Sequence, residues 1–171
     1  MSKSEVDEIT EKAISKGGVL AKLYFDVQSP NKDELQPLMA DLINNRLLKS
    51  TGVLYCTGAI DEPIKLEKEE IYSTSAEVTV LFNDIGAIIN VVFNFAPAGL
   101  EVLKPLGDYK IKHGDLQSLL LDLSNISISY SQYILEKVMS KEDFEKVNRD
   151  LSARRELGKK LIDRKDGGKQ A

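Results

Sequence analysis

From Ala87 to Phe95 the chain runs AIINVVFNF, nine residues without a charge. A segment this apolar and this rich in Ile, Val and Phe would pair with other chains if it lay on an open sheet edge, so any fold has to cover it. The residues before it place it in a hairpin. Between Ile71 and Phe82, Tyr72, Thr74, Ala76, Val78, Val80 and Phe82 alternate with Ser73, Ser75, Glu77 and Thr79, the period of two of a half-buried strand. Asn83-Asp84-Ile85-Gly86 then supplies a turn into Ala87. On this reading 87–95 is a central strand or one covered by a partner. Ser73, Ser75, Thr79, Asn90 and Asn94 line its polar face, with Ile88 and Val92 among them. Small hydroxyl and amide groups around an apolar strip suit plain water, a homodimer face or a small ligand, so these five residues are candidates for a ligand or partner face.

The same period of two appears in Val19, Ala21, Leu23, Phe25 and Val27, a first strand. Ahead of it, Ser4 with Asp7, followed by Val6, Ile9, Ala13 and Ile14, predicts a short helix stopped at Gly17-Gly18. After Ser29-Pro30-Asn31, a capping box of Asp33 and Gln36 predicts a helix over about 33–49, with Pro37 near its first turn and Leu35, Leu38, Met39, Leu42, Ile43 and Leu47 on one stripe. Val53 to Ile60 is apolar on both faces apart from Thr57 and is expected inside a sheet. Ile64 to Glu70 reads as a loop or short edge strand, and Leu100 to Leu103 as a short extended piece.

From Asp115 a long helix is expected, because Leu116, Leu119, Leu120, Leu123, Ile126, Tyr130, Ile134 and Val138 hold one helical phase. Its middle, NISISYSQY, also alternates with period two, which leaves a strand as the competing reading there. Ser140 with Asp143 forms a second capping box, opening a segment whose apolar seam decays, and beyond Ile162 the chain reads as a disordered end.

These elements predict an α+β fold: a two-layer sandwich with a mixed, mostly antiparallel sheet of four to five strands and helices on one face. It is related to ferredoxin-like arrangements, although the final strand of that pattern is not evident. A helix-grip fold is the alternative, and it needs Ile64 to Leu66 and Leu100 to Leu103 to be true strands. Residues 1–139 are expected to form one domain, with 140–171 as a charged helical tail.

Composition narrows the chemistry. With 42% apolar residues in 171, the chain has material for a real core. One cysteine and one histidine cannot build an intramolecular disulfide or a Cys/His zinc cluster. Phosphate-cradling, nucleophile-elbow and metalloprotease motifs are absent from the sequence, so no catalytic residue, metal or cofactor is called for. Cys56, within an apolar strand, reads as a small buried hydrophobe. Asp61 and Glu101, beside turns, and His113, ahead of the long helix, are pocket candidates for acid/base work, against the commoner state of such residues as solvated charges.

Between 149 and 171, eight basic and four acidic residues give +4 on a chain whose net charge is −4, leaving −8 on residues 1–148. Arg154, Arg155, Lys159 and Lys160 are therefore nucleic-acid candidates, although no aromatic side chains are interleaved to stack on bases. No run is long enough to span a membrane, and the charged first residues contain no signal core, so a cytoplasmic protein without a membrane partner is expected. The leading reading is a non-catalytic cytoplasmic interaction domain that self-associates, most simply as a homodimer, with a further protein partner possible. A small-molecule-binding protein or cofactor-free enzyme, with a pocket between sheet and long helix, is the second. A nucleic-acid accessory protein using the basic tail is the third.

Overall fold

The computed structural model describes residues 5–66 and 70–167, except for the side chains of 155 and 158–167. Strict alternation builds its centre. β1 (Val19–Ser29) and β4 (Tyr72–Phe82) pair antiparallel over eleven residues, from Val19 opposite Phe82 to Ser29 opposite Tyr72. β2 (Val53–Ile60) lies on the far side of β4 and β5 (Gly99–Lys104) on the far side of β1, giving the order β2-β4-β1-β5. The two-residue β3 (Ile64–Lys65) adds to β4 beyond β2, and every pairing is antiparallel. β2 is thus an edge strand and not the interior strand expected. Its apolar residues serve two small packing surfaces instead: Cys56 and Ile60 join the core on one face, and Tyr55 packs with the smaller cluster on the other.

The expectation that fails outright is the strand at 87–95. Ile85–Phe95 is a helix, α3, and Asn83-Asp84-Ile85-Gly86 is its N-terminus and not a hairpin turn. Asp84 is extended, and its carboxylate accepts from the Ala87 N–H at 2.8 Å, meeting one of the four donors that a helix start leaves open. Ala87, Ile88 and Val91 are buried on one helical stripe, while Val92 and Phe93 of the uncharged segment stay exposed. Here the cap and the burial override the strand preference of Ile and Val. The α2 helix, preceding β2, spans Lys32–Asp41, and its N-cap lies two residues earlier than the capping box suggested. Asn31 is its N-cap, accepting from the Asp33 N–H at 3.1 Å and donating from its amide to Glu34 at 2.9 Å. The helix then widens into a π turn over Leu42–Leu47.

With α3 in place, β1-α2-β2 and β4-α3-β5 form two split units. β1 and β2 run parallel on either side of β4, and β5 supplies the final strand that the sequence did not show. This is the ferredoxin-like β-α-β-β-α-β order, a two-layer α+β sandwich with an all-antiparallel sheet. The segments needed by the helix-grip alternative are strands, β3 and β5, but β5 completes this pattern and the two-residue β3 is an addition at the end of β4.

Odd residues of β1 and even residues of β4, among them Leu23, Phe25, Val78, Val80 and Phe82, meet Met39, Leu47, Ile88 and Val91 from the helical layer to form the main core. On the opposite face α1 (Glu5–Ser15) covers a smaller cluster of Ala13, Leu20 and Leu81, and Thr10 shares a hydrogen bond with Tyr55 at 3.1 Å. Ser4, part of the predicted cap of this helix, lies outside the described residues.

The chain divides into two compact units, Met1–Ile111 and Lys112–Ala171. The second contains α4 (His113–Val138) and α5 (Lys141–Gly167). α4 is continuous through NISISYSQY, because the helical phase there outweighs the local alternation. The predicted capping box at Ser140 forms, with the Ser140 hydroxyl donating to Asp143 at 2.7 Å. α5 continues past Ile162 to Gly167, where a disordered end was expected; residues 168–171 lie outside the described residues.

Candidate interaction surface

The five residues expected on one polar face are divided between two layers. Ser73, Ser75 and Thr79 do share the β4 face that points away from the main core, but Asn90 and Asn94 lie one turn apart on α3, on the other side of the sheet. Two of these β4 hydroxyls are committed to the fold. Ser73 is buried and donates to Asp26 at 2.5 Å, Ser75 donates to the Asp61 carboxylate at 2.6 Å, and Thr79 stands between Lys22 and Thr57 in the register. The Asn94 amide donates to the Asn90 carbonyl at 2.8 Å, and both residues border a cleft of about 260 Å³ with Ser50, Thr51 and Phe95.

The pocket candidates do not converge. Asp61 follows β2 at one edge of the sheet; its carbonyl accepts from Thr74 at 2.6 Å and from Gln36 at 3.2 Å. Glu101 is on β5 at the opposite edge, exposed and opposite Lys22. The Lys22 ammonium lies 2.6 Å from Glu77, and that hydrogen-bonded carboxylate holds its pKa above the usual lysine value, with Glu101 adding a smaller pull. His113 is the exposed first residue of α4, in the second unit. The Cys56 thiol is pushed up to about 11 by burial, which leaves it protonated and a poor nucleophile at neutral pH. No group of three or more His, Cys, Asp or Glu that could hold a metal gathers among the described residues. No helix of the described residues is long and apolar enough to cross a membrane.

Arg154, Arg155, Lys159 and Lys160 are on α5. Arg154 is exposed, and the side chains of the other three lie outside the described residues.

The surface that stands out is on α4. Leu121, Asn125, Ile128, Gln132, Leu135 and Met139 are half-buried at alternating spacings of four and three, the seam of one helix packed along another. Opposite them α5 offers Phe144, Val147, Asn148 and Leu151, also half-buried, and the Gln132 amide donates to Asn148 at 2.7 Å. The phase that stood out in the sequence is a different one. Two of its eight residues, Leu119 and Ile126, are half-buried; at ~100° per residue the other six, Leu116, Leu120, Leu123, Tyr130, Ile134 and Val138, centre roughly 140° around the helix from the α5 seam. They are open to solvent: Leu120 is 58% exposed, Tyr130 56% and Val138 72%, and α4 contains no buried residue. Tyr133, on the flank, is 60% exposed.

This second stripe also lacks charge. From Leu123 to Leu135, thirteen residues contain no Asp, Glu, Lys or Arg, and the positions beside the stripe are Ser124, Ser131, Ile126 and Tyr133. A helix that is apolar on two faces is covered on both in a stable assembly. Charge depletion with exposed tyrosine is what the buried centre of a protein interface contains, and small serines let a second backbone approach closely. The spacing of these residues predicts the helix and its phase, but spacing alone does not say which of two apolar faces packs on α5.

No curated protein matches the chain, and no solved structure does. A family model, described as the MJ0538 family, matches residues 20–152. The match starts at β1 and ends in α5 just past Leu151, the last described position of the helical seam.

Proposed function

The chain belongs to the MJ0538 family, and from that premise we propose that it is a non-catalytic cytoplasmic interaction module that self-associates through the outward stripe of α4, forming a homodimer. The observation that carries this reading is the exposed apolar stripe of Leu116, Leu120, Leu123, Tyr130, Ile134 and Val138, free of charge between Leu123 and Leu135, along a helix of 26 residues. Such a helix is about 39 Å long, enough for a partner helix to cover the stripe over its whole length. A second copy is the occupant that fits. Between Leu123 and Leu135 there is no charge to select a charged partner, and two copies laid together meet no like-charge repulsion over that stretch. The extent of the family match supports the same emphasis. It includes all of α4 and the part of α5 that packs on it, and it leaves Arg154, Arg155, Lys159 and Lys160 outside. The non-catalytic part of the reading is supported by the commitment of Asp61 to Ser75, by the separation of Asp61 from Glu101 and by the protonated state of Cys56.

The test is a pair of substitutions on the stripe, Leu123→Glu and Ile134→Glu, compared by light scattering after gel filtration and by circular dichroism. Both positions are about 40% exposed in the single chain, so the variants fold with unchanged helix content. Each lowers the mass to that of one 19.0 kDa chain. An unchanged mass for both variants would overturn the reading.

A further inference from the structure

The exposed stripe of α4 is close to symmetric about its middle, and that symmetry bears on how a second copy lies along it. Ser127 is exposed and, at ~100° per residue, falls within about 20° of the centre of the stripe. Leu120 and Ile134 stand seven residues to either side of it, Leu116 and Val138 eleven, and Leu123 and Tyr130 four and three. A two-fold axis across the helix at Ser127 therefore sets a large apolar side chain opposite another at each of these positions. A closed pair of identical chains needs an operator of this kind, because the same patch must serve both copies. The small serine sits where the two backbones come nearest, and side-chain size at the contact sets how near they come.

Charge distinguishes this arrangement from a parallel one. Asp115, in the first turn of α4, and Lys137, in its last, are both exposed. At ~100° per residue they lie on the same flank of the stripe, roughly 60° to 100° from its centre. Tyr133 is on that flank too, and the Lys137 ammonium rests over its ring, 5.7 Å from the centroid. In an antiparallel pair each flank faces the same flank of the other copy, run in reverse, so acid meets base at both ends. In a parallel pair like ends lie together, which gathers the two Asp115 side chains at one end and the two Lys137 side chains at the other. Antiparallel packing also opposes the two helix dipoles.

We propose, resting on the self-association through α4 argued above, that the two copies lie antiparallel, with the two-fold axis at Ser127 and Asp115 of each chain against Lys137 of the other. Leu116 of one copy is then beside Val138 of its mate and roughly 33 Å along the axis from the mate's own copy of Leu116. Two chains use up the stripe, so this contact closes at a dimer and does not propagate.

Single added cysteines test the orientation in the full chain. Leu116→Cys, Ser127→Cys and Val138→Cys fall at positions exposed in the single chain, so the fold does not depend on them, and the unsubstituted chain controls for Cys56. Each variant is oxidised near neutral pH, alone and as an equal mixture of Leu116→Cys with Val138→Cys exchanged at low concentration, and covalent dimer is read on a gel without reductant. A disulfide forms only when the two Cα atoms come within about 7 Å. The expected result is that Ser127→Cys links to itself and that the mixture gives at least about ten times the covalent dimer of either of its members alone. Self-linking of Leu116→Cys or Val138→Cys as strong as the mixture overturns the antiparallel arrangement in favour of a parallel one. Absence of the mixed link overturns it as well. Sedimentation of the same samples separates the two levels: a species of twice the chain mass leaves self-association standing without this orientation, whereas a single-chain mass removes both.

Discussion

Cys56 shows how far a single residue can be read from its neighbours. An apolar strand predicts a buried, unreactive thiol, and the structure raises its pKa from 9.0 to about 11 by burial alone. In the unfolded chain the thiol ionises near 9, whereas the folded chain keeps its proton until about 11. Between those values the unfolded state releases its proton first, so stability declines as pH rises through that window. Alkylation by a neutral reagent is accordingly expected to be slow in native protein at pH 8, with a midpoint near 11, and fast in denaturant. A native midpoint near 9 would contradict the burial. Ala96 was not legible in this way. It ends α3 with φ at 44°, a left-handed conformation that favours glycine, while its N–H donates to the Val92 carbonyl at 2.9 Å. Only the position of the helix end reveals it. Ala96→Gly is expected to stabilise the protein by roughly 0.5–1 kcal/mol, read from the denaturation midpoint.

At the scale of elements, the sequence was informative where one face is wet and misleading where cover comes from elsewhere in the chain. β1 and β4 alternate because their second face is largely polar, and their positions and inward residues follow from that alternation. AIINVVFNF has no such contrast, and a short apolar run does not distinguish a buried strand from a buried helix. The local signal that could have decided it was Asp84, placed to cap a helix as well as to make a turn. Asp84→Ala is expected to cost about 1 kcal/mol in stability, measured by urea denaturation. A strand at 87–95 would show almost no loss. On α4 the helical phase is legible in the sequence, whereas the seam that packs on α5 is not. The α5 seam includes Asn125 and Gln132, less apolar than the exposed stripe, so a ranking by hydrophobicity does not find the face that packs on α5. The pair Gln132 and Asn148 explains why polar residues belong in that seam.

For the whole molecule, one misread element hid the architecture. With α3 taken as a strand, the last β of the ferredoxin-like order had no place; with α3 as a helix, β5 follows naturally and both split units close. The candidate site was legible only as a list of residues. Spacing named Leu116 to Val138, whereas exposure, which no sequence pattern supplies, marked them as a surface. The same holds for β2, whose uncharged sequence suggested a central strand and whose position makes it an edge. The main core sets the stability of the first unit: Phe82 is fully buried between the sheet and the helical layer, and Phe82→Ala is expected to cost about 3–5 kcal/mol in urea denaturation without touching the α4 stripe.

The measurement that bears most directly on self-association through α4 is sedimentation equilibrium of the full chain over a range of concentrations. The account predicts a species of twice the 19.0 kDa chain mass, dissociating as the protein is diluted and lost on Leu123→Glu. A single 19.0 kDa species up to about 100 μM would contradict it.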